Sequence, residues 1–105
     1  MKSLRNPKRK PTHPGAVIRE DVLPALNMKQ GEFAAHLGVS RLTVSELLLE
    51  KRGVSPEMAV RLAKVLHTTP ESWLNMQTAL DLWQLKQKPE RFSALKPIDL
   101  ELLAA

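Results

Sequence analysis

Apolar residues return every three or four positions along five stretches of this chain, a spacing that predicts helices rather than strands. Val17, Ile18, Val22 and Leu23 mark a first helix running to about residue 23. Pro24 has no amide proton and crowds the turn before it, so it is expected to end or kink that helix, with residues 25–27 forming a turn. Phe33, Ala34 and Leu37 give the inward face of a second helix over 30–37. Val44, Leu47 and Leu48 do the same for a third, expected to run from Ser40 to about Leu49 or Glu50. A fourth helix over 56–66 buries Met58 or Ala59, Leu62 and Leu66, and a fifth spans 70–86. Beyond Pro89 the pattern fades: Phe92, Leu95 and Ile98 are candidates for a strap, and 100–105 for a single helical turn.

Polar punctuation supports these limits. Ser40 is a good N-cap, with Thr43 three residues on. Ser55-Pro56-Glu57 and Thr69-Pro70-Glu71 each place a capping hydroxyl, a proline at the first helical position and an acid in the first turn. Gly38 can take the positive φ that closes a helix, with Val39 plugging the gap beneath the bend. Lys29 stands where a capping hydroxyl belongs, and Lys51-Arg52-Gly53 closes the third helix with cations at the negative end of its dipole.

The expected fold is therefore all-α, five helices with a helix-turn-helix formed by the second and third. A chain of 105 residues accommodates one such domain over 13–86, an N-terminal arm over 1–12 and a C-terminal tail over 87–105, packed on the domain or a dimer. The net charge of +5 resides in the arm: Lys2, Arg5, Lys8, Arg9 and Lys10 face no acid in the first ten residues, and the other 11 cations balance 11 anions. With Pro7 and Pro11 opposing helix, the arm either follows phosphates or a minor groove, or serves as a solubilising tail. Cysteine is absent, which removes disulfides, thiol nucleophiles and cysteine metal sites. No apolar run approaches the roughly 20 residues of a membrane span, so a cytoplasmic protein is expected.

The stretch QGEFAAHLGVSRLTVSELLL, residues 30–49, concentrates the functional signal. Ala34 is small where two helices cross, Gly38 turns the chain, and Val44 with Leu47 anchors the third helix, leaving Ser40, Arg41, Leu42, Thr43, Ser45 and Glu46 outward. Such a helix fits a DNA major groove, about 12 Å wide. Arg41 suits guanine O6 and N7, Glu46 cytosine N4 and Leu42 a thymine methyl, with Ser45 beside them as base readers. Gln30, Ser40, Thr43, Lys51 and Arg52 are the candidates for phosphate contact and positioning.

With those residues in place, the chain resembles the lambda-repressor-like helix-turn-helix superfamily and, more narrowly, the HigA-type (VapI-like) antitoxins of bacterial toxin-antitoxin modules. The resemblance rests on HPGAVIREDVL at 13–23, EFAAHLGVSRLTVSELL at 32–48 and VSPEMAVRLAKVLHTTPESWLNMQTALDLW at 54–83. It implies a dimeric five-helix antitoxin that binds operator DNA, represses its own operon and neutralises a small RelE-like, ribosome-dependent endoribonuclease. This chain departs at Leu42, where similar proteins commonly carry Gln, at Leu49-Glu50, where Asn-Gly is common, and at Lys29, where Thr is usual.

The fifth helix has more apolar surface than one core face needs. Trp73, Met76, Leu80 and Trp83 form one stripe and Leu74, Leu82 and Leu85 another, so one faces the domain and the other a homodimer or toxin partner, unless the tail folds back over it. Enzyme chemistry is poorly supported: His13, His36 and His67 are far apart, Glu20-Asp21 lacks a convergent partner, and no glycine-rich phosphate loop or cofactor motif is present. Two other readings stand beside it, a solitary transcriptional repressor of the same fold without a toxin and, from a different class, a helical protein-interaction module.

Overall fold

Side-chain oxygens decide where most of the helices begin. The computed structural model describes residues 9–101. In it α1 comprises three successive helical segments, Pro14–Val17, Ile18–Val22 and Leu23–Leu26, followed by α2 (Gln30–Leu37), α3 (Arg41–Leu48), α4 (Pro56–Leu66), α5 (Pro70–Lys86) and a 3₁₀ turn at Pro89–Phe92. There is no strand among the described residues. Ser40, Ser55 and Thr69 accept from the amides of Thr43, Met58 and Ser72 at 3.0, 3.1 and 3.2 Å, which opens α3, α4 and α5. Lys29 cannot act likewise, because an ammonium has no lone pair; instead Glu32 turns back and its Oε1 accepts from the Lys29 amide at 3.0 Å.

Of the end or kink expected at Pro24, the end does not occur, and residues 25 and 26 are helical rather than in a turn. Segment Ile18–Val22 is π-helical, and the Leu23 amide reaches back five residues to the Ile18 carbonyl. The wider turn makes room for the proline ring, so helix continues through Ala25 and Leu26. Asn27 stops it at φ 51°, a left-handed conformation that asparagine tolerates. The third helix is also shorter than expected, ending at Leu48 with Glu50 left-handed at φ 63°.

One core joins all five helices. Ile18 of α1, Phe33 and Leu37 of α2, Val44 and Leu47 of α3, and Ala59 and Leu62 of α4 are sealed together, with Trp73 of α5 closing the far side. Trp73 satisfies its indole by donating from Nε1 to Thr68 Oγ1 at 2.8 Å. Leu66, expected inside, is only half-buried at the core margin.

The tail does not strap the domain. Phe92, Leu95, Ile98 and Leu100 are all exposed, because α5 outruns the helices it packs on: after Leu80 none of its side chains is buried. A helical turn begins at Leu100 and Glu101, and the rest of that expected turn lies outside the described residues.

The start of α1 touches α3 more closely than any side chain would allow. A Cβ on Gly15 would fall 1.9 Å from the Leu47 carbonyl oxygen, so only glycine lets the two backbones meet. His13 caps the same turn: it is buried, and its Nδ1 accepts from the Gly15 amide at 2.9 Å. Burial holds the imidazole below its ordinary value of 6.5, against the pull of Glu50, the Arg52 backbone and Asp81, while Lys10 lowers it further.

Gly15→Ala is expected to cost about 1–3 kcal/mol or more from overpacking, whereas Gly31→Ala, whose Cβ would stand 4.0 Å from its nearest neighbour, gains up to ~1 kcal/mol. Urea midpoints of the two variants check this, and equal stability would remove the Gly15 contact from the account. Because the folded pKa of His13 lies below its unfolded value, the unfolded chain binds the extra proton; this contribution is complete above pH 6.5 and is lost as pH falls through that value. His13→Asn, which accepts without titrating, should flatten the slope of stability between pH 7 and 5.

Candidate nucleic-acid interface

A short tight bend sets the angle between α2 and α3. Gly38 provides it at φ 71°, and its amide bonds back to the Ala35 carbonyl at 3.2 Å. Arg61 of α4 secures the same end, donating from Nη1 to the Leu37 carbonyl at 2.8 Å while Glu57 takes its Nε and Nη2 at 3.2 and 2.9 Å. The ion pair orients the guanidinium, and the guanidinium satisfies carbonyl groups that α2 leaves open.

The far end of α3 is tied down from two other helices. Arg19 of α1 donates from Nη1 to the Leu48 carbonyl at 2.6 Å and faces Glu50 at 3.4 Å, with Glu20 at 2.7 Å on Nη2. These carboxylates, Glu20 first, raise the arginine further toward its charged form. Gln77 of α5 accepts from the Val54 amide at 2.9 Å and donates to Asp81 at 2.9 Å. Gly53 leaves room for that glutamine: a Cβ there would fall 2.7 Å from its amide carbon. Thus Leu48 to Val54, the loop leaving α3, is held on both sides.

What remains free on α3 is its outer face. Arg41 is exposed and Leu42 is 67% exposed, with Ser45 and Glu46 half-buried on the same helix. Ser40 and Thr43 bond each other through their hydroxyls at 2.9 Å as well as through the cap, so both oxygens already have local partners. A cavity of about 620 Å³ brings Arg41 together with Lys29, Gln30 and Gly31 at the start of α2. Lys51 and Arg52 lie exposed beyond the other end of α3. Arg52 binds Glu46, its Nε and Nη2 reaching Oε1 at 3.1 and 2.6 Å. Arg9 and Lys10 are exposed, while Lys2, Arg5 and Lys8 lie outside the described residues.

The fifth helix divides differently from the expected partner surface. Trp73 and Leu80 are 4% and 2% exposed inside the protomer, and Leu74 and Met76 pack against the core, so Trp73 and Leu80 are corrected from interface to core residues. Leu82 and Leu85 are exposed and line, with Lys86, Pro89 and Phe92, an open apolar cavity of about 510 Å³. Trp83 is half-buried, and its Nε1 has no acceptor among the described residues. No group of three or more His, Cys, Asp and Glu among the described residues is placed to hold a metal ion. No described helix is long and apolar enough to cross a membrane.

Arg19, Arg61 and Gln77 escaped the sequence reading because hydrophobic periodicity says nothing about a polar side chain that reaches another helix's backbone. Only Glu57 and Arg61, four residues apart, left a visible trace.

Comparison with known proteins agrees with this geometry. A family model described as helix-turn-helix matches residues 18–74. An uncharacterized HTH-type transcriptional regulator of Haemophilus influenzae is 46% identical over 78 residues, 74% of this chain and 73% of the relative. Antitoxin HigA-1 of Vibrio cholerae is 34% identical over 100 residues, 94% of each chain. The solved structure of antitoxin GraA in complex with its operator superposes with a TM-score of 0.79 at 38% identity, covering 92% of this chain and 99% of that one.

Gln77→Ala should lower stability by about 1–2 kcal/mol, because the part-buried Val54 amide loses its acceptor. An unchanged urea midpoint would show that this bond does not hold the loop.

Proposed function

The chain belongs to the helix-turn-helix family and to its HigA-type antitoxins, and on that premise we propose that it binds operator DNA, represses its own operon and neutralises a small RelE-like endoribonuclease. The observation that carries the DNA half is the outer face of α3: a capped helix with Arg41 and Leu42 exposed, its far end held by Arg19 of α1 and the end of α2 before the bend held by Arg61 of α4. Presented to a major groove, this face places Arg41 for guanine and Leu42 for a thymine methyl, with Ser45 beside them. Phosphates fall to Gln30 and the opening of α2, to Ser40 and Thr43, and to Lys51 and Arg52 beyond the other end of α3. The basic arm, Lys2 to Lys10, adds sequence-independent attraction.

Two chains would set two recognition helices one DNA turn apart, roughly 34 to 36 Å. In this reading the homodimer and the toxin use the apolar face left open beyond Leu80, where Leu82, Leu85 and Phe92 stand exposed and Trp83 lies partly covered, with the partly covered Leu74 and Met76 nearer the start of α5. GraA in complex with its operator, similar along nearly its whole length, supports the DNA half. The name of HigA-1 supports the antitoxin half. Such work belongs in the cytoplasm. A solitary repressor of the same fold is the second reading, since one DNA-reading face serves both.

Arg41→Ala should cost about 1–3 kcal/mol on operator and much less on random duplex in fluorescence-anisotropy titrations. Equal loss on both would reduce Arg41 to a phosphate contact. Purification of the tagged chain from its native cells should also recover a small basic nuclease; operator DNA alone would favour the solitary repressor.

A further inference from the structure

We infer that Glu46 is a positioning residue for Arg52, holding that guanidinium as a phosphate clamp at the end of α3, and is not itself a base reader. The inference rests on the DNA-binding reading and assigns a different task to one member of its face. Glu46 is half-buried and its Oε1 already takes two donors from Arg52, Nε at 3.1 Å and Nη2 at 2.6 Å. An unpaired carboxylate on a groove-facing helix would meet the repulsion of the phosphates. Paired with Arg52 it brings no net charge, and it directs a cation outward.

The backbone around Arg52 is fixed as firmly as its side chain. Arg19 holds the Leu48 carbonyl on one side and Gln77 the Val54 amide on the other, with Gly53 leaving room for the glutamine. Arg52 Nη1 has no protein partner among the described residues and can donate to a phosphate oxygen. A guanidinium held in its bound orientation loses little side-chain freedom on meeting the duplex.

The test uses the full-length chain with its operator, a set of operators each changed at one base pair, and a random duplex, titrated over a range of salt. Arg52→Ala is expected to weaken binding on the order of tenfold by the same factor on every duplex and to lower the salt slope by about one, and Glu46→Gln to weaken binding by a uniform factor on every duplex although it removes a negative charge. The double variant should bind no worse than Arg52→Ala alone. A Glu46→Gln protein that changes its preference at one base pair, that binds like wild type, or whose loss multiplies with that of Arg52→Ala, overturns the assignment. Wild-type chain that does not distinguish operator from random duplex would instead sink the DNA-binding reading, leaving the two failures distinct.

Discussion

The contact between the Gly15 backbone and the Leu47 carbonyl governs the rest of this structure. It lets α1 approach α3 backbone to backbone, and any side chain at residue 15 would push them apart. With that distance set, Arg19 comes within reach of the Leu48 carbonyl, and His13 is buried as the cap of α1. Val44, Leu47 and Leu48 can then point into a common core while the opposite face of α3 stays open. A reading helix must be rigid relative to the body that carries it, since a misplaced donor loses both its contact and its discrimination between bases.

Helix ends receive the same treatment elsewhere. Every helix leaves carbonyls unpaired at its C-terminus, and here two arginines from neighbouring helices take them up, Arg61 at the end of α2 and Arg19 at the end of α3. Both are oriented by acids, Glu57 in one case and Glu20 with Glu50 in the other. Glu50 carries a second constraint, being left-handed without being glycine. Its ion pair with Arg19 accompanies that conformation.

Much of this was legible in the residues. The three hydroxyl caps, the Gly38 bend and the burial of Phe33, Val44 and Leu47 follow from local chemistry and period, which act within a few residues. What escaped was decided at a distance. Pro24 is helical because the π turn over Ile18–Val22, just ahead of it, absorbs its ring, which no rule about proline alone reveals. Trp73 and Leu80 looked available for a partner until the packing of α5 on α4 put them inside. Glu46 looked like a free acceptor until the loop after α3 returned Arg52 beside it.

The central claim, that the outer face of α3 reads DNA, is tested most directly by amide chemical-shift mapping of the isotope-labelled chain with operator and random duplexes. The account predicts perturbations at Gln30 and Gly31, across Ser40 to Glu46 and at Arg52, with the Arg41 to Glu46 set distinguishing operator from random DNA. Perturbations confined to Leu82 through Phe92, or a pattern on α3 that is the same for both duplexes, would contradict it.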